Sequence, residues 1–209
     1  MTPAQRRALQ THAALLVDDQ GETPLCTPAL FGRQAPLWIE IGFGNGATLA
    51  HLAAARPDHD FLGIEVHNPG IGRLLLSIEK QQLENVRITN ADAGEFVQRR
   101  IADACAARIL ILFPDPWPKK RHHKRRLLQP AFAETLARKL IPGGVLHLAT
   151  DWEDYAEQML AVLENVASLR NCSGPGRFSD PPGYRIPTRF ELRGLREGNA
   201  VQDLLFERI

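Results

Sequence analysis

The sequence predicts an α/β protein: a mostly parallel central sheet with helices on both faces. Three observations predict it. From Leu37 onward, short apolar runs alternate with stretches whose apolar residues recur at helical spacing, and the alternation repeats five times. The runs are apolar throughout, as expected of strands covered on both sides. Gly and Pro mark the joins between elements, and nothing repeats internally.

Residues 1–36 read as an N-terminal extension, partly helical or flexible, ahead of a domain at 37–209. Thr2-Pro3 fits the start of a helix carrying Leu9, Ala13 and Leu16, and Pro24, Pro28 and Pro36 then break the chain into a loop. Leu37–Ile41 reads as the first strand, and the turn Gly42-Phe43-Gly44-Asn45-Gly46 leads into a helix with Leu49, Leu52 and Ala53 on one face. Phe61–Val66 is the second strand, Ile71–Leu83 a helix, Val86–Thr89 the third strand and Glu95–Ala106 a short helix. Arg108–Phe113 is the fourth strand. Leu128, Phe132, Leu136 and Leu140 then mark a helix that ends at Pro142-Gly143-Gly144. Val145–Ala149 is the fifth strand, Trp152–Val166 a helix, 171–187 a long loop and Val201–Arg208 a last strand.

Composition narrows the class. The chain has 209 residues, enough for one domain with a full core, and 44% hydrophobic and 23% charged residues are ordinary for a globular protein. No run suits a bilayer span, and no signal-peptide core is evident. Three scattered cysteines, Cys26, Cys105 and Cys172, read as reduced thiols in a cytoplasmic protein. The histidines show no zinc spacing, so no metal is expected.

Net charge is only +1, yet six of the eight residues Lys119–Arg126 are Lys or Arg and the other two are His. A phosphate backbone senses such local density within a Debye length. The block reads as an RNA-contact strip of Arg121, His122, His123, Lys124, Arg125 and Arg126, or else as a solvated charged loop. Immediately before it stands Phe113-Pro114-Asp115-Pro116-Trp117, where two prolines restrict an acid at the mouth of the fourth strand. Trp117 suits either stacking on a base or capping the loop.

The glycine turn lies where open parallel sheets bind ligands. Gly42, Gly44 and Ala47 also satisfy the dinucleotide fingerprint, so the turn alone leaves a nicotinamide cofactor open. Glu40 tips the balance, because an acid inside a buried strand is costly unless a cation lies close. S-adenosylmethionine carries a sulfonium and an ammonium; a pyrophosphate would be repelled. Glu65 ends the second strand, where an acid grips ribose hydroxyls, and Asp92 follows the third strand as an adenine contact or a helix N-cap.

These motifs taken together resemble the bacterial tRNA (guanine-N7-)-methyltransferase family. The resemblance rests on Ile39–Gly44, Gly63–His67, Phe113–Trp117, the basic block, Ala149-Thr150-Asp151-Trp152 and Pro187-Thr188-Arg189-Phe190-Glu191. It implies a single-domain Rossmann-like class I methyltransferase with a C-terminal antiparallel strand, using S-adenosylmethionine to methylate N7 of the variable-loop guanine, position 46, of tRNA. It implies cofactor contacts at Glu40, Gly42, Gly44, Glu65, Asp92 and Asp115, with Asp115 also catalytic. It implies substrate contacts at Lys119, Asp151, Thr188, Arg189, Phe190 and Glu191. The chain would work as a monomer or homodimer, away from membranes. Pro118 and Asn68 depart from the pattern, at positions where a polar and a basic residue are common. Thr150 and Asp151 also suit an N-cap, and Glu191 a surface acid. A methyltransferase acting on an exocyclic amine would carry two prolines between Asp or Asn and the aromatic residue; Pro114-Asp115-Pro116-Trp117 does not. A noncatalytic RNA-binding module would have no need of the intact acid set, and a dehydrogenase would need a catalytic pair that is not evident.

Overall fold

The computed structural model describes residues 1–196 and 198–209, with the side chains of Arg189, Phe190, Arg193 and Leu195 outside the description. The helices are α1 Pro3–Thr11, α2 Thr27–Phe31, α3 Ala47–Ala55, α4 Asn68–Gln81, α5 Ala93–Arg100, α6 Pro130–Lys139, α7 Glu153–Glu164 and α8 Arg189–Arg196. The strands are β1 Leu37–Ile41, β2 Asp60–Ile64, β3 Val86–Thr89, β4 Ala106–Leu112, β5 Leu140–Thr150, β6 Leu169–Asn171 and β7 Gln202–Arg208. They form one seven-stranded sheet in the order β3-β2-β1-β4-β5-β7-β6. Strands β1 to β5 pair in parallel, and β7 runs antiparallel between β5 and β6.

All five residues of β1 are buried, because helices cover both faces. Leu37, Ile39 and Ile41 face the layer of α5, α6 and α7, against Phe96, Leu136 and Met159. Trp38 faces the other layer, with Leu49 and Leu52 of α3, Ile71 and Leu74 of α4, and Ala8 of α1. Side chains alternate along a strand, so Glu40 shares the face of Trp38. The chain builds outward from β1 to β3, then returns to lay β4 on the other flank of β1. The carboxyl ends of β1 and β4 therefore flank the switch in strand order, the place where such sheets hold ligands.

Residues 1–36 pack on the same body. Thr2 and Gln5 form a reciprocal capping box that starts α1. The helix crosses α4 so closely that a Cβ on Gly72 would lie 2.7 Å from that of Gln5. Val17 N–H donates to Ile88 O at 2.7 Å, which covers the outer edge of β3.

Several boundaries differ from expectation, most of all those of α5, α6 and β5. α5 stops at Arg100 because its carbonyl accepts from Leu25 N–H at 2.6 Å, and Ile101 bridges to Leu25. α6 stops at Lys139 and Leu140 already pairs with Ala106. The Pro142-Gly143-Gly144 run lies inside β5, where the register with β4 shifts. The tail holds β6 and α8, neither of which the sequence pattern announced, and the basic block forms a 3₁₀ helix over Lys120–Arg125.

Candidate active site

The first wall of the site is the turn after β1. Gly42, Gly44 and Gly46 have φ of 69°, 57° and 72°, a conformation that favours glycine. Glu65 fixes the turn from β2: one carboxylate oxygen accepts from Gly44 N–H at 2.8 Å, the other from Val66 N–H at 2.8 Å and His67 N–H at 3.0 Å. At Gly70 a Cβ would lie 2.0 Å from Gly44 O, so the start of α4 closes on the same turn. The result is a cleft of about 840 Å³ lined by Glu40, Gly42, Gly44, Arg73, Leu112 and Thr188 among others.

Glu40 is 3% exposed, and its Oε2 has no hydrogen-bond partner among the described residues. Burial pushes its carboxyl up to about 8, and the nearby Glu65 carboxylate adds to the shift. A buried acid without a counter-charge, beside a glycine turn and a cleft, fits a ligand bearing positive charge.

The second wall follows β4. Leu112 lines the cleft, and the chain then turns through Phe113 and Trp117, whose φ of 54° and 45° are costly for residues with side chains. Asp115 stands exposed between them. The turn is held from below by Arg126, which is 2% exposed. Its Nε donates to Pro116 O at 2.8 Å, its other nitrogens donate to Gln158 and Asp154, and its guanidinium lies 4.8 Å from the Tyr155 ring centre. That hydrogen bond holds the Asp154 carboxyl below its usual range. Arg126 therefore leaves the expected RNA-contact strip, because its guanidinium is consumed in supporting the Asp115 turn.

Lys119, Arg121, Lys124 and Arg125 remain exposed, with His122 and His123 half-buried. His123 Nε2 lies 3.7 Å from Asp154, and Arg125 covers the Trp117 ring at 5.0 Å. His122 meets the same ring edge-on at 5.9 Å. Trp117 is thus tied to the basic helix within the protein itself.

Asp92 caps α5, accepting from Glu95 N–H at 3.0 Å, beside a separate hollow of about 80 Å³. Of the expected cofactor acids, Glu40 lines the cleft and Glu65 touches it through Gly44. Asp115 stands on the adjoining turn, and Asp92 lines the separate hollow with Asp19 and Gln20. Neither Thr150 nor Asp151 caps α7; its N-cap is Trp152, whose N–H donates to Thr150 Oγ at 3.2 Å. Asp151 instead lies against α8, since a Cβ on Gly194 would meet its carboxylate at 2.3 Å. Thr188 lines the cleft and forms a capping box with Glu191, at 3.1 and 3.2 Å in the two directions. Glu191 is 7% exposed and ion-paired with Arg185, so it is not the surface acid it resembles in sequence. The Thr-x-x-Glu spacing was the signal for this cap. The side chains of Arg189 and Phe190 lie outside the described residues. Among the described residues no cluster of three metal-ligating side chains occurs, and no helix is long and apolar enough to cross a membrane.

The sheet order, the glycine turn and the buried acid beside it define a class I methyltransferase. Residues 34–204 match the family model described as "Putative methyltransferase". A tRNA (guanine-N(7)-)-methyltransferase of Methylococcus capsulatus is 56% identical over 86% of this chain and 78% of its own length. One of the same name from Alkalilimnicola ehrlichii is 52% identical over 100% of this chain and 88% of its own. The chain belongs to the tRNA (guanine-N7-)-methyltransferase family. Among solved structures, the 16S rRNA methyltransferase KamB aligns with a TM-score of 0.62 and 15% identity, over 86% of this chain and 91% of that one, a likeness of fold alone.

Proposed function

We propose that this protein transfers a methyl group from S-adenosylmethionine to N7 of guanine 46, in the variable loop of tRNA. The observation that carries the reading is Glu40: a buried carboxyl whose Oε2 has no hydrogen-bond partner among the described residues, at the wall of the large cleft and next to the glycine turn. The donor supplies a methyl group activated by a sulfonium, together with an ammonium that a carboxylate suits. With a cation close by, Glu40 regains its charge and its burial is offset. Glu65 holds Gly44 in place, which keeps the turn open for close backbone approach.

Guanine N7 is a lone-pair nucleophile with no proton to lose. It attacks the methyl carbon while the electron pair of the carbon–sulfur bond returns to sulfur, and no general base is required. The protein's task is to align the groups and to steady the positive charge that develops on the base. Asp115 is the residue for that second task, a carboxylate fitted to the N1–H and N2–H edge of guanine, with Asp151 and Thr188 as further substrate contacts. Arg126 and the two prolines keep the Asp115 turn rigid. Exposed Trp152 and Leu192, at 38% and 45%, offer apolar surface to a displaced base. Lys119, Arg121, Lys124 and Arg125 track the phosphates, which positions the RNA without reading its sequence. The work belongs in the cytoplasm, done by a monomer or a homodimer.

Incubation with labelled S-adenosylmethionine and tRNA lacking the modification, followed by nucleoside analysis, tests the reading. Label in 7-methylguanosine is expected; label in a methylated exocyclic amine would overturn it.

A further inference from the structure

Behind the cleft runs a chain of buried polar groups that the reaction itself does not use. His147 of β5 is 0% exposed. Its Nε2 lies 2.7 Å from Asp203 of β7, and its Nδ1 lies 2.9 Å from the Tyr184 hydroxyl. Arg108 of β4 donates to the same hydroxyl, and its guanidinium lies 4.5 Å from the Tyr184 ring centre. Each proton then has one acceptor: Arg108 to Tyr184, Tyr184 to His147 and His147 to Asp203. Asp203 also pairs with Arg185, at 2.9 Å to Nε and 3.0 Å to Nη2. Arg185 continues to Glu191, donating from Nη2 at 2.9 Å and also from Nη1. Glu191 closes the first turn of α8 by accepting from Thr188 N–H, and Thr188 lines the cleft. Arg185 also stands 6.0 Å from the ring centre of Phe113, the residue that opens the Asp115 turn.

We propose that Tyr184, Arg185, His147 and Asp203 are positioning residues: together they tie the first turn of α8 to the sheet and hold it over the cleft for the nucleic-acid substrate. The proposal rests on the reading of the cleft as the site of methyl transfer to tRNA. Three strands, the 184–188 segment and the Asp115 turn meet in this tie. Surface attachment of α8 would need none of it. A buried hydrogen-bonded network specifies one arrangement, because each broken link leaves a polar group without a partner in low dielectric. The donor side is held separately, by Glu65 on Gly44 and by Gly70 against the turn. Loss of the tie therefore affects the RNA and the donor unequally.

Arg185→Gln, Arg185→Lys and Tyr184→Phe, each in the full chain, test this. Folding is followed by circular dichroism, donor binding by calorimetry and tRNA kinetics by methyl incorporation. The expected result for Arg185→Gln is a KM for tRNA raised tenfold or more, with donor Kd within threefold of the parent. Tyr184→Phe raises that KM about threefold, and Arg185→Lys recovers most of the loss because it keeps a buried cation beside Asp203 and Glu191. A folded Arg185→Gln protein with native KM, or an equal weakening of donor binding, would overturn the proposal. Should Arg185→Gln fail to fold, Tyr184→Phe decides by the same measures, a native KM counting against the tie. The parent protein is assayed first. If it makes no 7-methylguanosine, the functional reading has failed, which is a different result from a parent that works and variants that match it.

Discussion

Glu40 carries opposite consequences for stability and for function. Its carboxyl titrates near 8 in the folded, donor-free protein and at its ordinary value in the unfolded chain. Between those values the folded state holds the extra proton, so stability falls as pH rises from about 4.5 toward 8, by roughly 3 kcal/mol at pH 7. Glu40→Gln removes that loss. The donor-free variant is expected to melt higher than the parent at pH 7.5 and equally with it below pH 4.5, while S-adenosylmethionine no longer raises its melting temperature. An unchanged or lower melting point at pH 7.5 would contradict the burial argument. Asp115 is exposed and costs the fold little. Asp115→Asn is therefore expected to leave the melting curve in place and lower kcat about a hundredfold, the usual loss for one electrostatic partner of a transition state. Steady-state methyl incorporation measures it.

At the scale of elements, β1 to β5 were legible because parallel strands buried on both faces are continuous apolar runs separated by Gly and Pro. α8 was not, since Arg189–Arg196 follows a Pro- and Gly-rich stretch and its Thr188/Glu191 capping box coincides with a motif that the family resemblance assigns to substrate. The Pro142–Gly144 run reads locally as a helix end, but β5 absorbs it as a register shift against β4. Such shifts depend on the neighbouring strand, not on the local sequence. Glu40 and the glycine turn could be read from local sequence. Arg126 could not: within a run of like charges nothing marks one as buried, and its partners Asp154 and Gln158 lie 28 and 32 residues away. Arg126→Met is accordingly expected to destabilise the fold by about 2 kcal/mol, a drop of roughly 4–8 °C in Tm, through charge-assisted hydrogen bonds lost to Pro116, Gln158 and Asp154. Reversing exposed Arg121 and Lys124 to Glu leaves Tm nearly unchanged. It weakens tRNA binding and flattens the dependence of log K on log salt by about one to two. A salt slope equal to that of the parent would remove the 3₁₀ helix from the RNA footprint.

Over the whole molecule, the sheet places two separately anchored walls at one switch in strand order. The β1 wall, with Glu40 and the glycine turn, is fixed by β2 and α4. The β4 wall, with Asp115, is fixed by Arg126, itself anchored on Asp154 and Gln158 of α7, and approached by Arg185 from the C-terminal segment. Residues 1–36 brace α4 and the β3 edge, so the glycine-turn side of the cleft draws on the first residues of the chain as well as on β1. The basic helix begins where the β4 wall ends, so the proposed phosphate contacts follow directly in the chain on the turn that carries Asp115. The most direct measurement of this arrangement compares one tRNA transcript with its copy bearing adenine in place of the variable-loop guanine, both supplied with labelled S-adenosylmethionine. One methyl group per parent transcript, at guanine N7, and none in the altered copy is the predicted result. Equal incorporation into both would contradict it.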